Sequence, residues 1–76
     1  MNVSQAEFQN MKEKIVKDLI ARLMDECGLT MQQAFDAVYP SRLFLKLSDP
    51  KTGLYFQSSG YVYSFLESEL KTGSVK

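Results

Sequence analysis

The sequence contains no histidine and only one cysteine, and these absences exclude several kinds of site. A structural zinc ion needs a set of thiolate or imidazole ligands that this chain does not have. Cys27 has no second cysteine with which to form a disulfide inside the chain. Cys27 also lies at the end of a predicted helix, where the helix dipole disfavours a thiolate, so we expect an inert thiol packed in the core.

The chain also lacks a net charge, since nine basic residues balance nine acidic ones. Nucleic-acid-binding domains usually carry a basic excess that neutralises phosphates, so this composition argues against that class. No apolar run approaches the roughly 18 residues that span a bilayer. The N-terminus is polar and has no apolar segment typical of a signal peptide, and with the lone thiol this favours a cytoplasmic location.

The sequence also has few residues that could act in catalysis. Without histidine, a nucleophile would need a lysine or carboxylate base, and no G-x-S-x-G motif is present. The carboxylate pairs Asp25–Glu26 and Glu67–Glu69 lie on helix faces that we expect to be solvated. The sequence therefore predicts no enzyme, no metal site, no cofactor and no small-molecule substrate.

What the chain does contain is a strong helical pattern, beginning near its N-terminus. Ser4 and Glu7 have the spacing of a capping box, and Gly28 is placed to end the helix in a left-handed conformation. We predict this first helix at about residues 5–27. Its apolar face contains Phe8, Met11, Ile15, Val16, Leu19, Ile20, Leu23, Met24 and Cys27.

A second helix is predicted directly afterwards. Thr30 and Gln33 form another capping box, and Pro40 disfavours helical geometry in the residue before it. These signals place the helix at about residues 31–39. Its apolar residues on one face are Met31, Ala34, Phe35 and Val38.

The rest of the chain predicts two more helices. Ser41 begins a short helix at about residues 42–48, for which a short strand is the competing interpretation. A Pro/Gly turn at residues 49–53 and an extended segment at residues 54–57 follow. The last helix spans about residues 60–71. Its predicted buried residues are Tyr61, Val62, Phe65, Leu66 and Leu70. The fold class is therefore all-α: one domain, 1–76, built as a small bundle of three to four helices.

This pattern holds more apolar side chains than a chain of this length is expected to bury, since small domains bury only about 60% of their unfolded surface. We therefore predict a protein-protein interaction module, either a homodimer or a binder of another protein. The alternative is that the first helix is central and its neighbours cover its wide face. The candidate partner-binding residues are Leu43, Phe44, Leu47, Tyr55 and Tyr63.

A nucleic-acid-binding interpretation is the alternative function. Residues 30–47 have the layout of a helix-turn-helix, with two short helices and a tight break between them. The second of these helices offers only Arg42 and Lys46 as base-edge donors, with apolar residues between them. Binding to nucleic acid is therefore the less favoured hypothesis.

Finally, the chain resembles short bacterial proteins found in gut anaerobes. The resemblance rests on Gly28-Leu29-Thr30 opening a short helix, the apolar segment after it, Leu54-Tyr55 through Ser58, and Tyr61 to Leu66, and it covers about residues 15–72. Some similar families are encoded beside a toxin-like ADP-ribosyltransferase, for which an antitoxin or accessory role is suggested. The resemblance implies an all-helical fold and binding to a protein partner, and it carries no catalytic residue.

Overall fold

The structure of the protein is a computed structural model that describes residues 4–72. The described residues form four α-helices and two short 3-10 turns. The helices are α1 (Gln5–Cys27), α2 (Met31–Val38), α3 (Arg42–Leu47) and α4 (Ser59–Thr72). The predicted all-α bundle is confirmed, and the segment after Ser41 is a helix rather than a strand.

The ends of α1 and α2 are fixed by the caps that the sequence predicted. The Glu7 amide donates to Ser4 Oγ over 3.1 Å, and the Ser4 amide donates to Glu7 Oε1 over 3.0 Å. Thr30 and Gln33 form the same reciprocal pair at the start of α2. Gly28 ends α1 with φ 68°, a conformation that other residues rarely adopt.

The connection between α3 and α4 differs from the prediction. Its expected extended segment is instead a pair of 3-10 turns, Pro50–Thr52 and Leu54–Phe56, separated by Gly53 with φ 71°. Leu54 and Tyr55 are both buried, although adjacent residues of an extended chain point in opposite directions. A tight turn directs both side chains into the core, so burial favours the turn.

The core forms around α1, which packs against α2, α4 and the second 3-10 turn, while α3 packs against α4 and both turns. All four helices contribute to one apolar cluster. Its buried members are Phe8, Ile15, Val16, Leu19, Ile20, Leu23, Ala34, Val38, Leu43, Leu47, Leu54, Tyr55, Val62, Tyr63 and Leu66. The interpretation of α1 as a central helix covered by its neighbours therefore agrees with the structure for most of its apolar face.

The buried face of α4 is rotated from the predicted one. Val62, Tyr63 and Leu66 are buried, whereas Tyr61, Phe65 and Leu70 are exposed. Polar contacts near both ends of α4 hold the helix in this orientation. Ser59 Oγ donates to Asp18 Oδ2 on α1 over 2.5 Å at one end, and a glutamate near the other end of α4 contacts α3.

That glutamate is Glu69, which caps a helix distant in sequence. Its carboxylate accepts hydrogen bonds from the Arg42 amide at 2.9 Å and the Leu43 amide at 3.1 Å. Ser41 Oγ accepts from the Phe44 amide at 3.0 Å. The expectation that Glu69 is simply solvated is wrong, because the first amides of α3 lack partners inside their own helix and attract a carboxylate.

We predict that Glu69→Ala lowers the free energy of unfolding by about 1 to 2 kcal/mol, because two helix N-terminal amides lose a charged acceptor. Glu67→Ala is the matched control on the same helix, and its exposed side chain predicts a change of about 0.5 kcal/mol or less. Urea denaturation followed by circular dichroism measures both values. Equal destabilisation of the two variants would contradict the capping role.

Candidate functional site

An open groove of about 380 Å³ runs along one side of α1, facing α2 and the start of α3. Its floor is apolar, its wall is aromatic, and its rim on α1 is polar and charged. The lining residues are Val16 and Ile20 in the floor, Phe35, Tyr39 and Phe44 in the wall, and Gln9, Lys12, Glu13 and Lys17 on the rim.

The aromatic wall is a continuous row of three rings. Phe35 and Tyr39 lie one helical turn apart on α2 and stack with centroids 5.3 Å apart and an interplanar angle of 10°. The Tyr39 ring meets the Phe44 ring of α3 at 4.8 Å. Phe35 is 37% exposed and Tyr39 45%, so an apolar surface with ordered rings faces solvent.

The rim of the groove carries two lysines and one glutamate. Lys12 Nζ lies 5.6 Å from the Phe8 ring centroid and 5.7 Å from the Phe44 ring centroid, which are cation–π distances. Within residues 4–72, neither Lys12 nor Lys17 has a carboxylate oxygen within 4.0 Å. The rim therefore has a basic excess that no acidic side chain of the described chain neutralises by contact.

The structure places most of the predicted partner-binding residues elsewhere. Leu43, Leu47, Tyr55 and Tyr63 are buried in the core of the protein itself, so the prediction that they form a surface for a partner is wrong. Leu43, Leu47 and Tyr55 lie on α3 and the second 3-10 turn, which pack against each other, while Tyr63 lies on the side of α4 that meets the end of α1 at Arg22 and Cys27. Phe44 is the exception, since its ring lies partly exposed in the groove wall.

Phe35 and Tyr39 are the groove residues that the sequence analysis did not single out. The predicted apolar face of α2 contained Met31, Ala34, Phe35 and Val38, of which Ala34 and Val38 are fully buried whereas Met31 and Phe35 are exposed. Phe35 directly follows Ala34, and Tyr39 directly follows Val38. The two rings are therefore also four residues apart, and they lie at the edge of the buried face. The sequence signal that could have identified this wall is a pair of aromatic residues four positions apart, each directly after a smaller residue of the buried face.

Tyr63 and Cys27 form a separate polar contact at the end of α1. Contrary to the prediction of a core thiol, Cys27 is exposed, and its Sγ lies 4.0 Å from Tyr63 Oη. Burial raises the pKa of Tyr63 from 10.0 to about 12, with further contributions from the hydrogen bond and charge of Cys27 and from the charges of Glu26 and Glu67. The Arg22 guanidinium lies over the Tyr63 ring at 5.5 Å. Burial and the neighbouring Cys27, Glu26 and Glu67 keep the phenol protonated at pH values at which an exposed tyrosine ionises.

The helix-turn-helix interpretation gains no support from the geometry of α3. Its first amides are already bonded to the Glu69 carboxylate, which places negative charge where a DNA phosphate would approach. Leu43 and Leu47 face the core, and the exposed positions include Leu45 beside Lys46. A recognition helix needs polar base-edge donors at such positions.

Three further properties bear on function: metal binding, membrane spanning and similarity to known proteins. No group of three or more His, Cys, Asp or Glu side chains within residues 4–72 is arranged to hold a metal ion. In the same part of the chain, no helix has the length and apolar content needed to cross a membrane. Comparisons with protein-family models, curated proteins and solved structures found no match to this chain.

We predict that the free energy of unfolding decreases as pH rises from about 10 to about 12. In this window the unfolded chain loses the proton of Tyr63 while the folded protein retains it. The stabilisation that Tyr63 contributes is therefore complete below pH 10 and is lost progressively between about pH 10 and about 12. Tyr63→Phe reduces this decrease, whereas Tyr61→Phe, at an exposed position of α4, leaves it unchanged. Chemical denaturation of the three proteins at successive pH values measures the difference, and identical pH profiles would refute the assignment.

Proposed function

We propose that this protein is a small interaction module that binds an apolar segment of another protein in the groove between α1 and α2. The observation that carries the proposal is the row of Phe35, Tyr39 and Phe44 above the Val16 and Ile20 floor. Aromatic side chains that are already ordered lose little conformational entropy on binding, which makes them effective contact residues.

The composition of the groove supports protein binding over catalysis. Its lining has no histidine, cysteine or serine, and its only carboxylate is that of Glu13. General acid–base chemistry and nucleophilic attack require side chains of those types in a defined pair. An apolar floor with a charged rim is instead the usual arrangement of a protein-binding surface.

The resemblance to families encoded beside toxin-like enzymes is consistent with the same proposal. An antitoxin or accessory role requires binding to a protein partner, and the groove offers an exposed apolar surface for that contact. A second copy of the chain is the other occupant that fits the proposal of an interaction module, and the experiment below separates the two.

We predict that Phe35→Ser combined with Tyr39→Ser weakens partner binding at least about tenfold, because the wall loses two aromatic contact residues. The partner is first identified by crosslinking in the native cell and mass spectrometry, then purified and titrated by calorimetry. Sedimentation velocity at micromolar concentration measures self-association in parallel.

The matched control is Tyr61→Ser combined with Phe65→Ser on α4. These two rings are also four residues apart, in contact at 5.1 Å and 50% and 45% exposed, but they lie outside the groove. The control is expected to bind normally. Binding or self-association that depends on the control pair and not on Phe35 and Tyr39 would overturn the proposed site.

A further inference from the structure

The walls of the groove determine the conformation of a bound segment. Both α1 and α2 use their backbone amides and carbonyls within their own helices, and no strand edge occurs within residues 4–72. An extended peptide laid in the groove would find no backbone partners, whereas a helix satisfies its own backbone hydrogen bonds. The groove therefore fits a helix better than a strand.

The dimensions of the groove give the length of that helix. Its lining along α1 runs from Gln9 to Ile20, a distance of about 17 Å at about 1.5 Å per residue. A helix of about three turns spans this distance. Apolar side chains on one face of such a helix would lie against the Val16 and Ile20 floor and the aromatic wall.

The charge of the rim indicates which side chains should flank the apolar face of the bound helix. Lys12 is held between the Phe8 and Phe44 rings, so its ammonium group is positioned before any partner arrives. Lys17 and Glu13 lie on the same rim, so the rim has a net excess of one positive charge, and neither lysine has a carboxylate oxygen of the described chain within 4.0 Å. Carboxylates next to the apolar face of a bound helix would complement both ammonium groups.

We propose, resting on the function proposed above, that the groove binds an acidic amphipathic helix, with leucine-type anchors in the groove and glutamates against Lys12 and Lys17. This inference goes beyond protein binding in general because it specifies the conformation and charge of the partner. It is tested on the full chain with synthetic peptides.

Three peptides of about three to four helical turns serve as probes: one with leucines on one face flanked by glutamates, the same peptide with lysines replacing the glutamates, and the acidic peptide scrambled to destroy its apolar face. Fluorescence anisotropy of labelled peptides gives the dissociation constants. We expect the acidic peptide to bind at least about tenfold tighter than the other two, and added salt to weaken its binding.

Variants of the protein assign the effect to the rim. Lys17→Glu is expected to weaken binding of the acidic peptide several-fold. A second variant, which adds Lys12→Glu, is expected to weaken it several-fold further. Lys14→Glu is the matched control, because Lys14 is exposed on α1 and does not line the groove. Since Lys12 also contacts two rings, circular dichroism checks its variant, and Lys17→Glu alone still decides the outcome.

The outcomes separate this inference from the proposed function. If acidic and basic peptides bind equally, and both lose binding in the Phe35→Ser, Tyr39→Ser protein, the groove binds helices but the charge assignment is wrong. If Lys14→Glu weakens binding as much as Lys17→Glu, the charge assignment is also wrong. If no peptide binds, the helical occupant is wrong, while the native-partner experiment still decides the proposed function.

Discussion

The burial of one broad face of α1 is the interaction on which the other elements depend. Leu19 and Leu23 at the centre of this face have no exposed surface. The helices α2 and α3 have only eight and six residues, fewer than the about 12 to 15 that an isolated helix needs to be stable in water. Their helical structure therefore requires tertiary packing and capping, and α1 supplies the largest surface for that packing.

Polar contacts between distant residues determine how the covering helices are placed. Asp18 bonds Ser59 at the start of α4, and Glu69 near its end bonds the first amides of α3. These contacts join the two ends of α4 to different parts of the bundle, so they restrict its rotation. Tyr63 is then turned inward beside Val62 and Leu66, and Tyr61 and Phe65 remain outside.

The groove is a consequence of how α2 covers α1. Ala34 and Val38 are fully buried, and α2 packs against α1 along this line. The bulkier Phe35 and Tyr39 do not fit between the helices and lie along the edge of the contact. Their rings then form a wall beside the part of α1 that α2 leaves open, with Val16 and Ile20 at its base.

The sequence by itself determined α1 and α2 and, to within one residue, their limits, because these depend on neighbouring residues. The capping pairs Ser4–Glu7 and Thr30–Gln33 are read within one turn, and the end of α1 follows from Gly28 alone. The tertiary structure decided which apolar residues remain exposed. The sequence indicated Leu43 and Tyr63 as partner-binding candidates, but the structure buries both. The Glu69 and Ser59 contacts, across 26 to 41 residues of sequence, help to hold α3 and α4 in the orientation that directs these side chains inward. Periodicity identifies an apolar face, but its rotation toward core or solvent depends on contacts between helices that no local pattern contains.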